Sequence, residues 1–187
     1  MGNLNEADYL LLLLYLSNKQ PIKGSVKIYK MMFIFNKELI ETLNLPINKQ
    51  NEYIPYNYGV FSKDIYDQLS FFYGIGFIDI KQQYSEEEHV DNWLQSSEEL
   101  IDNGKDFIEH DKVLFEYNIR HLGANYVKEE ILDKNLIDKD ALAKLLEFKN
   151  KINTLSQKRL LRYVYTKYPE YTKNILVNYD KRKWLWK

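Results

Sequence analysis

Five consecutive leucines, Leu10 to Leu14, followed by Tyr15 and Leu16, constrain this chain more than any other feature. The run is too short to span a bilayer as a helix. It has no basic region before it and no small-residue cleavage site after it, so it does not read as a signal peptide. Glu6 stands where an N-myristoylation motif requires Ser or Thr. What remains is a helix that is apolar on every side, which is stable only when other elements enclose it. We expect it over about Leu4 to Ser17, with Asn3 as N-cap and Glu6 completing a capping box. Asn18 to Pro21 should break it.

The rest of the sequence can supply that enclosure. Hydrophobic residues make up 45% of the 187 and aromatics 15%, enough for a substantial core. Charged residues make up 28%, which opposes a membrane protein, and scarce Pro and Gly oppose disorder. There is no cysteine, so disulfides, thiolate metal sites and cysteine nucleophiles are excluded. That composition fits a reducing compartment, and the expected location is cytoplasmic.

Helical spacing of Ile28, Met31, Met32, Phe35, Leu39 and Leu43 predicts a second helix from Ser25 to Leu43. Asn48 to Gly59 reads as a loop or short extended segment punctuated by Pro55 and Gly59. Ser62 is placed to cap a third helix, with Asp64 at its positive end. Its expected buried stripe is Ile65, Tyr66, Leu69, Phe72 and Tyr73, and Gly74 or Gly76 should supply the left-handed stop. Phe77, Ile78 and Ile80 read as a strand, and a second strand is expected around Trp93 to Ser97. A fourth helix is expected from about Leu100 toward His121. Asp138 should cap a helix carrying Leu142, Leu145, Leu146, Lys149 and Ile152. Ser156 should cap another carrying Leu160, Leu161, Val164, Tyr165 and Tyr168, closed by Pro169.

The order helix, helix, helix, strand, strand, helix is that of a winged helix, a helix-turn-helix variant with a hairpin attached. Periodicity leaves other α+β arrangements open. The expected fold class is mainly α (α+β): a winged helix-turn-helix-like domain with a small β-hairpin wing over residues 1–120. C-terminal helices over 121–187 would pack on it as one compact unit.

A more specific signal lies in Tyr53-Ile54-Pro55-Tyr56-Asn57-Tyr58-Gly59-Val60-Phe61-Ser62-Lys63-Asp64-Ile65-Tyr66-Asp67. This stretch resembles the PY-x-YGPFS-x-x-[LI]Y-x-x-L signature of Panacea-type (SocA-like) proteins and is similar to the related YwgA-like winged-helix proteins. Gly74-Ile75-Gly76-Phe77-Ile78 is similar to their helix stop before the first wing strand. Leu160 to Thr172 is similar to an LL-x-YVY-x-KYPEYT segment of the YwgA-like group. Val60 replaces the signature proline, which should change turn rigidity more than chemistry. The resemblance implies a winged-helix-like fold and a role as antitoxin, phage-associated regulator or adaptor that acts by binding. It does not imply an enzyme. Physically, most of the motif reads as folding chemistry: Pro and Gly shape a turn, Ser62 caps a helix and the tyrosines pin the loop.

The net charge of −1 hides an asymmetry. Acids dominate from Glu86 to Glu116, and Lys and Arg dominate from Lys158 to Lys187. The two regions can attract each other, or the basic one can face an anionic partner. Nucleic-acid contacts would fall to Ser62, Lys63 and Gln68 on the third helix, to the row Lys23, Lys27 and Lys30, and to Lys181, Arg182 and Lys183 in the tail. Gln68 suits adenine, but Asp64 and Asp67 on the same helix repel phosphate. The tail's interleaved tryptophans can stack on bases, although packing onto the core is the reading preferred here. Glu86, Glu87, Glu88 and Asp91 give the expected wing an acidic tip, which favours a protein partner with a basic surface. His89, His110 and His121 share no metal-ligand spacing, and no nucleophile or phosphate-loop motif is present.

The expected function is thus a non-catalytic regulator or antitoxin-like protein, without cofactor, metal or membrane. It would bind a toxin or other regulatory protein target, a nucleic acid, or both, and a homodimer is compatible with this. The alternatives are an interaction subunit of a phage or defence assembly, and an enzyme with an unfamiliar site.

Overall fold

A computed structural model describes residues 4–56, 59–84 and 113–172. Among them the protein is mainly helical with a small antiparallel sheet. Helix α1 (Glu6–Lys19) is the hub: Tyr9 to Leu14 are all at most 1% exposed. Its N-cap is Asn5, with Asp8 closing the capping box, two residues later than Asn3 and Glu6 were expected to do so. The shift has a physical cause. Glu6 is fully buried and its carboxylate is committed elsewhere, so Asp8 makes the return bond.

After Tyr15 the helical path ends in a left-handed turn. Ser17, Asn18 and Lys19 all have positive φ, and the Gln20 N–H closes on the Ser17 carbonyl at 3.0 Å. Three consecutive non-glycine residues in that region carry strain. Lys19→Gly should therefore raise stability by roughly 0.5–1 kcal/mol, the relief of left-handed strain exceeding the entropy glycine loses. Chemical denaturation of the purified variant checks this.

Strand β1 (Ile22–Lys23) leads into α2 (Ser25–Ile34), which continues through a π-helical turn, Phe35–Leu39, and a last turn, Ile40–Thr42. The expected helix from 25 to 43 is thus present, with one irregular turn inside it. A hairpin of β2 (Ile54–Tyr56) and β3 (Gly59–Phe61) precedes α3 (Lys63–Gly74). Ile65, Leu69 and Phe72 of α3 are buried, whereas Tyr73, expected on the same stripe, is 54% exposed. Gly76, with φ of 75°, supplies the left-handed stop.

β4 (Ile78–Tyr84) follows, and its antiparallel partner is β5 (Val113–Ile119). This corrects one expectation. Residues 113–119 were assigned to the fourth helix but form the central strand of the sheet, ordered β1-β5-β4. The strand expected at Trp93 to Ser97 lies outside the described residues. The pairing of β1 with β5 places Lys23 opposite Glu116, and their side chains meet at 3.3 Å.

The C-terminal helices close the structure. α4 (His121–Tyr126) runs on through a second π-helical turn, Val127–Leu132. α5 (Lys139–Thr154) is capped by Asp138 and α6 (Gln157–Lys167) by Ser156, both as expected. α5 packs on α1 and α6 on α2. Glu38 of the first π turn fixes α6: it accepts from Tyr163 and Tyr168 hydroxyls and from Lys167 at 2.8 Å. Burial alone would raise the Glu38 carboxyl, but these donors outweigh it and hold it below the usual range. Phe33 sits edge-on to Tyr53, Tyr168 and Tyr171 and joins hairpin, α2 and C-terminal segment in one aromatic cluster. Among the described residues, no helix is long and apolar enough to cross a membrane.

Candidate functional site

Helix α3 is positioned from below by buried polar bonds. The Glu6 carboxylate accepts from the Tyr53 hydroxyl, from the Asn51 N–H at 2.8 Å and from the Asn36 side-chain amide at 2.9 Å. Burial pushes the Glu6 carboxyl up, against the downward pull of these bonds. Asn36 reaches Glu6 from the π turn of α2. Asn51 exchanges two amide hydrogen bonds with Gln68 of α3, at 2.7 and 3.2 Å. The Glu52 N–H donates to Asp64 at 2.8 Å in the first turn of α3. The chain from 50 to 53 is therefore pinned to α1, α2 and α3 at once, and the orientation of α3 is set rigidly.

The opposite side of α3 is open. Helical spacing from Ile65, Leu69 and Phe72 leaves Lys63, Asp67, Ser70 and Phe71 outward. Phe71 is 61% exposed and Ile75, just past the helix end, 40%. Leu122 of α4, 57% exposed, comes against Gly76: its Cδ1 lies 3.9 Å from where a Cβ on that glycine would sit. Phe71, Ile75 and Leu122 thus place apolar surface around the C-terminal end of α3. Beneath them Phe72 stacks on Phe77, which leans on Tyr126, so the support is solid core. None of Phe71, Ile75 and Leu122 was singled out in the sequence; the position of Phe71 off the buried stripe was the one signal available, and Ile75 and Leu122 required the tertiary structure.

Among the described residues, those expected to touch nucleic acid are not brought together as a free cationic surface. Lys30 is buried, its ammonium donating to the Val60 carbonyl at 2.8 Å, and burial pushes it down to about 7. The expected surface row Lys23, Lys27 and Lys30 is corrected accordingly. Lys30 fell on the inward side because α2 buries almost its whole circumference between hairpin and sheet. Lys27 is half-buried and donates to the Asn153 carbonyl at 3.2 Å; burial lowers it too. Lys23 is paired with Glu116, and Lys63 with Asp67 at 2.6 Å. Ser62 is buried as the α3 cap, its Oγ accepting from the Ile65 N–H. Gln68 spends its amide on Asn51. Lys181, Arg182 and Lys183, and the acidic group Glu86, Glu87, Glu88 and Asp91, lie outside the described residues.

No family model, curated protein or solved structure matches this chain.

Two features escaped sequence reading. The Glu6 network was disguised because Glu6 also fits a capping box. Lys149 falls on the α5 stripe between Leu145 and Ile152, where spacing alone shows that it faces inward but not what it bonds to. It is fully buried, and its ammonium donates to the carbonyls of Leu14 and Leu16 at 3.0 and 2.7 Å. Those carbonyls lie where the helical path of α1 gives way, and the lysine supplies the donors that a continuing helix would have provided. Among the described residues, no group of three or more His, Asp or Glu side chains is placed to hold a metal ion.

Proposed function

We propose that this protein is a winged-helix regulator of the antitoxin-like kind, that it acts by binding a protein partner, and that the outer side of α3 and the start of α4 form the docking surface. The connectivity supports the fold reading: β1 between α1 and α2, two strands after α3, and a sheet ordered β1-β5-β4. In that architecture α3 occupies the place of the recognition helix. The resemblance of residues 53–67 to the Panacea-type signature points the same way.

The observation that carries the choice of partner is the exposed apolar surface of Phe71, Ile75 and Leu122 on this helix end. The cation within α3, Lys63, is neutralised by Asp67. Such a surface suits the apolar centre of a protein interface better than a phosphate backbone.

The test is tagged co-purification from the native host, followed by calorimetry with the purified candidate partner. Phe71→Ala should weaken binding by about tenfold or more, as expected for a central aromatic anchor. Its unfolding curve should hardly move, because the ring is mostly in water. A partner that binds Phe71→Ala and Ile75→Ser as tightly as the unaltered protein would overturn the assignment of this face.

A further inference from the structure

We propose that the solvent face of α6, carrying Arg159, Arg162 and Thr166, is a contact surface for the sugar-phosphate backbone of a nucleic acid. It is separate from the α3 face, and neither reading needs the other.

The argument starts from charge. Between Glu147 and Glu170 the chain holds no acid, and α6 bears Lys158, Arg159, Arg162 and Lys167. Leu160, Leu161 and Val164 are buried, so the cations project on the other side, where Lys158, Arg159, Arg162, Thr166 and Lys167 are exposed. Lys167 is consumed by Glu38. Arg159 and Arg162 differ from it: among the described residues neither has an ion-pair partner. Standing three residues apart, they lie side by side on the helix surface. Thr166, one turn beyond Arg162, adds a hydroxyl donor.

Helix stability does not account for this arrangement. Lys158 and Arg159 lie in the first turn, which has no acid, and there they oppose the positive end of the helix dipole. They concentrate positive potential where folding would prefer the reverse. Guanidinium groups bind phosphate through a planar fork of donors, so two arginines on one face, neither ion-paired among the described residues, suit successive phosphates. A lipid surface fits less well, because the apolar side of α6 is spent on the core and has nothing to insert. An apolar protein groove fits less well too, since Tyr163 alone among the exposed side chains of α6 is aromatic, and its hydroxyl is bonded to Glu38.

The test is fluorescence anisotropy of the full chain with a short mixed-sequence DNA duplex, its single strand and the matching RNA, across a salt titration. The affinity should fall linearly in log salt. Arg159→Ala with Arg162→Ala should flatten the duplex slope by about 2 units and weaken low-salt binding by about tenfold. Arg159→Lys with Arg162→Lys retains both charges and should keep the slope. Absence of salt-dependent binding would overturn the proposal. So would an unchanged slope in the alanine double, or a slope lost equally in the lysine double. Binding removed by neutralising Lys181, Arg182 and Lys183 while the α6 variants bind normally would overturn it as well. Vesicles rich in anionic lipid, bound as tightly as duplex at the same salt, would replace nucleic acid with a membrane surface.

Discussion

Gly123→Ala is expected to destabilise the protein by about 3 kcal/mol, at the upper end of what overpacking usually costs. Gly123 is buried in the first turn of α4, directly over the turn that starts β4. A Cβ there would overlap the Phe77 carbonyl oxygen and lie 3.1 Å from both the Phe77 carbonyl carbon and Ile119 Cγ1. Backbone cannot rotate away as a flexible side chain can. The Phe77 carbonyl also accepts from the Arg120 N–H at 2.8 Å, so lifting α4 breaks that bond as well. A thermal melt should show a midpoint lower by roughly 6–12 °C for a chain of this size. Gly74→Ala is the control. No atom lies within 4 Å of a Cβ at that position and its φ is not positive, so the change should be neutral or slightly stabilising. Equal losses in both variants would mean that the close approach at Gly123 is not what matters. Because Leu122 rides on the same turn, Gly123→Ala should also weaken any partner held by the α3 end.

The second large effect concerns Lys149, whose buried ammonium donates to the Leu14 and Leu16 carbonyls and is pushed down to about 7 by burial. An unfolded lysine keeps its proton to about 10.4. Between these two values the unfolded chain binds the proton that the folded protein has released, so stability rises with pH across that window. The contribution is fully present above the unfolded value, is lost as pH falls toward 7, and gives no further slope below it. Lys149→Met removes the titration and leaves the Leu14 and Leu16 carbonyls without their donor. At pH 9 it should cost about 2–3 kcal/mol, the penalty for buried acceptors left unpaired. The cost should shrink by on the order of 1 kcal/mol per pH unit toward pH 7. Urea denaturation of both proteins at several pH values measures the difference. A difference that is flat with pH would show that Lys149 keeps its proton in the folded state. Lys30 is pushed down to about 7 as well and adds a parallel slope to both proteins, which the subtraction removes.

How much of this was legible beforehand follows from how local each interaction is. The encirclement of α1 was legible, because a helix with leucine at five successive positions has no face it can give to water. The caps at Ser62, Asp138 and Ser156 and the stop at Gly76 were legible, because each joins groups within a few residues. The central strand was not. Val113–Ile119 pairs with β4 on one side and with β1, nearly a hundred residues earlier in the chain, on the other, and its alternation is blurred by a buried Glu116 that Lys23 neutralises. Nor did the fates of the lysines follow from spacing. Lys23, Lys27 and Lys30 look alike in a sequence, yet one pairs with a carboxylate, one caps a carbonyl at the end of α5 and one is sealed under a hairpin. The sequence by itself determined most of the helical segments, where most of them begin and most of the residues that must leave water. Tertiary structure alone decided which charges remain available to a partner, because that depends on whether a distant carbonyl or carboxylate arrives within hydrogen-bonding distance.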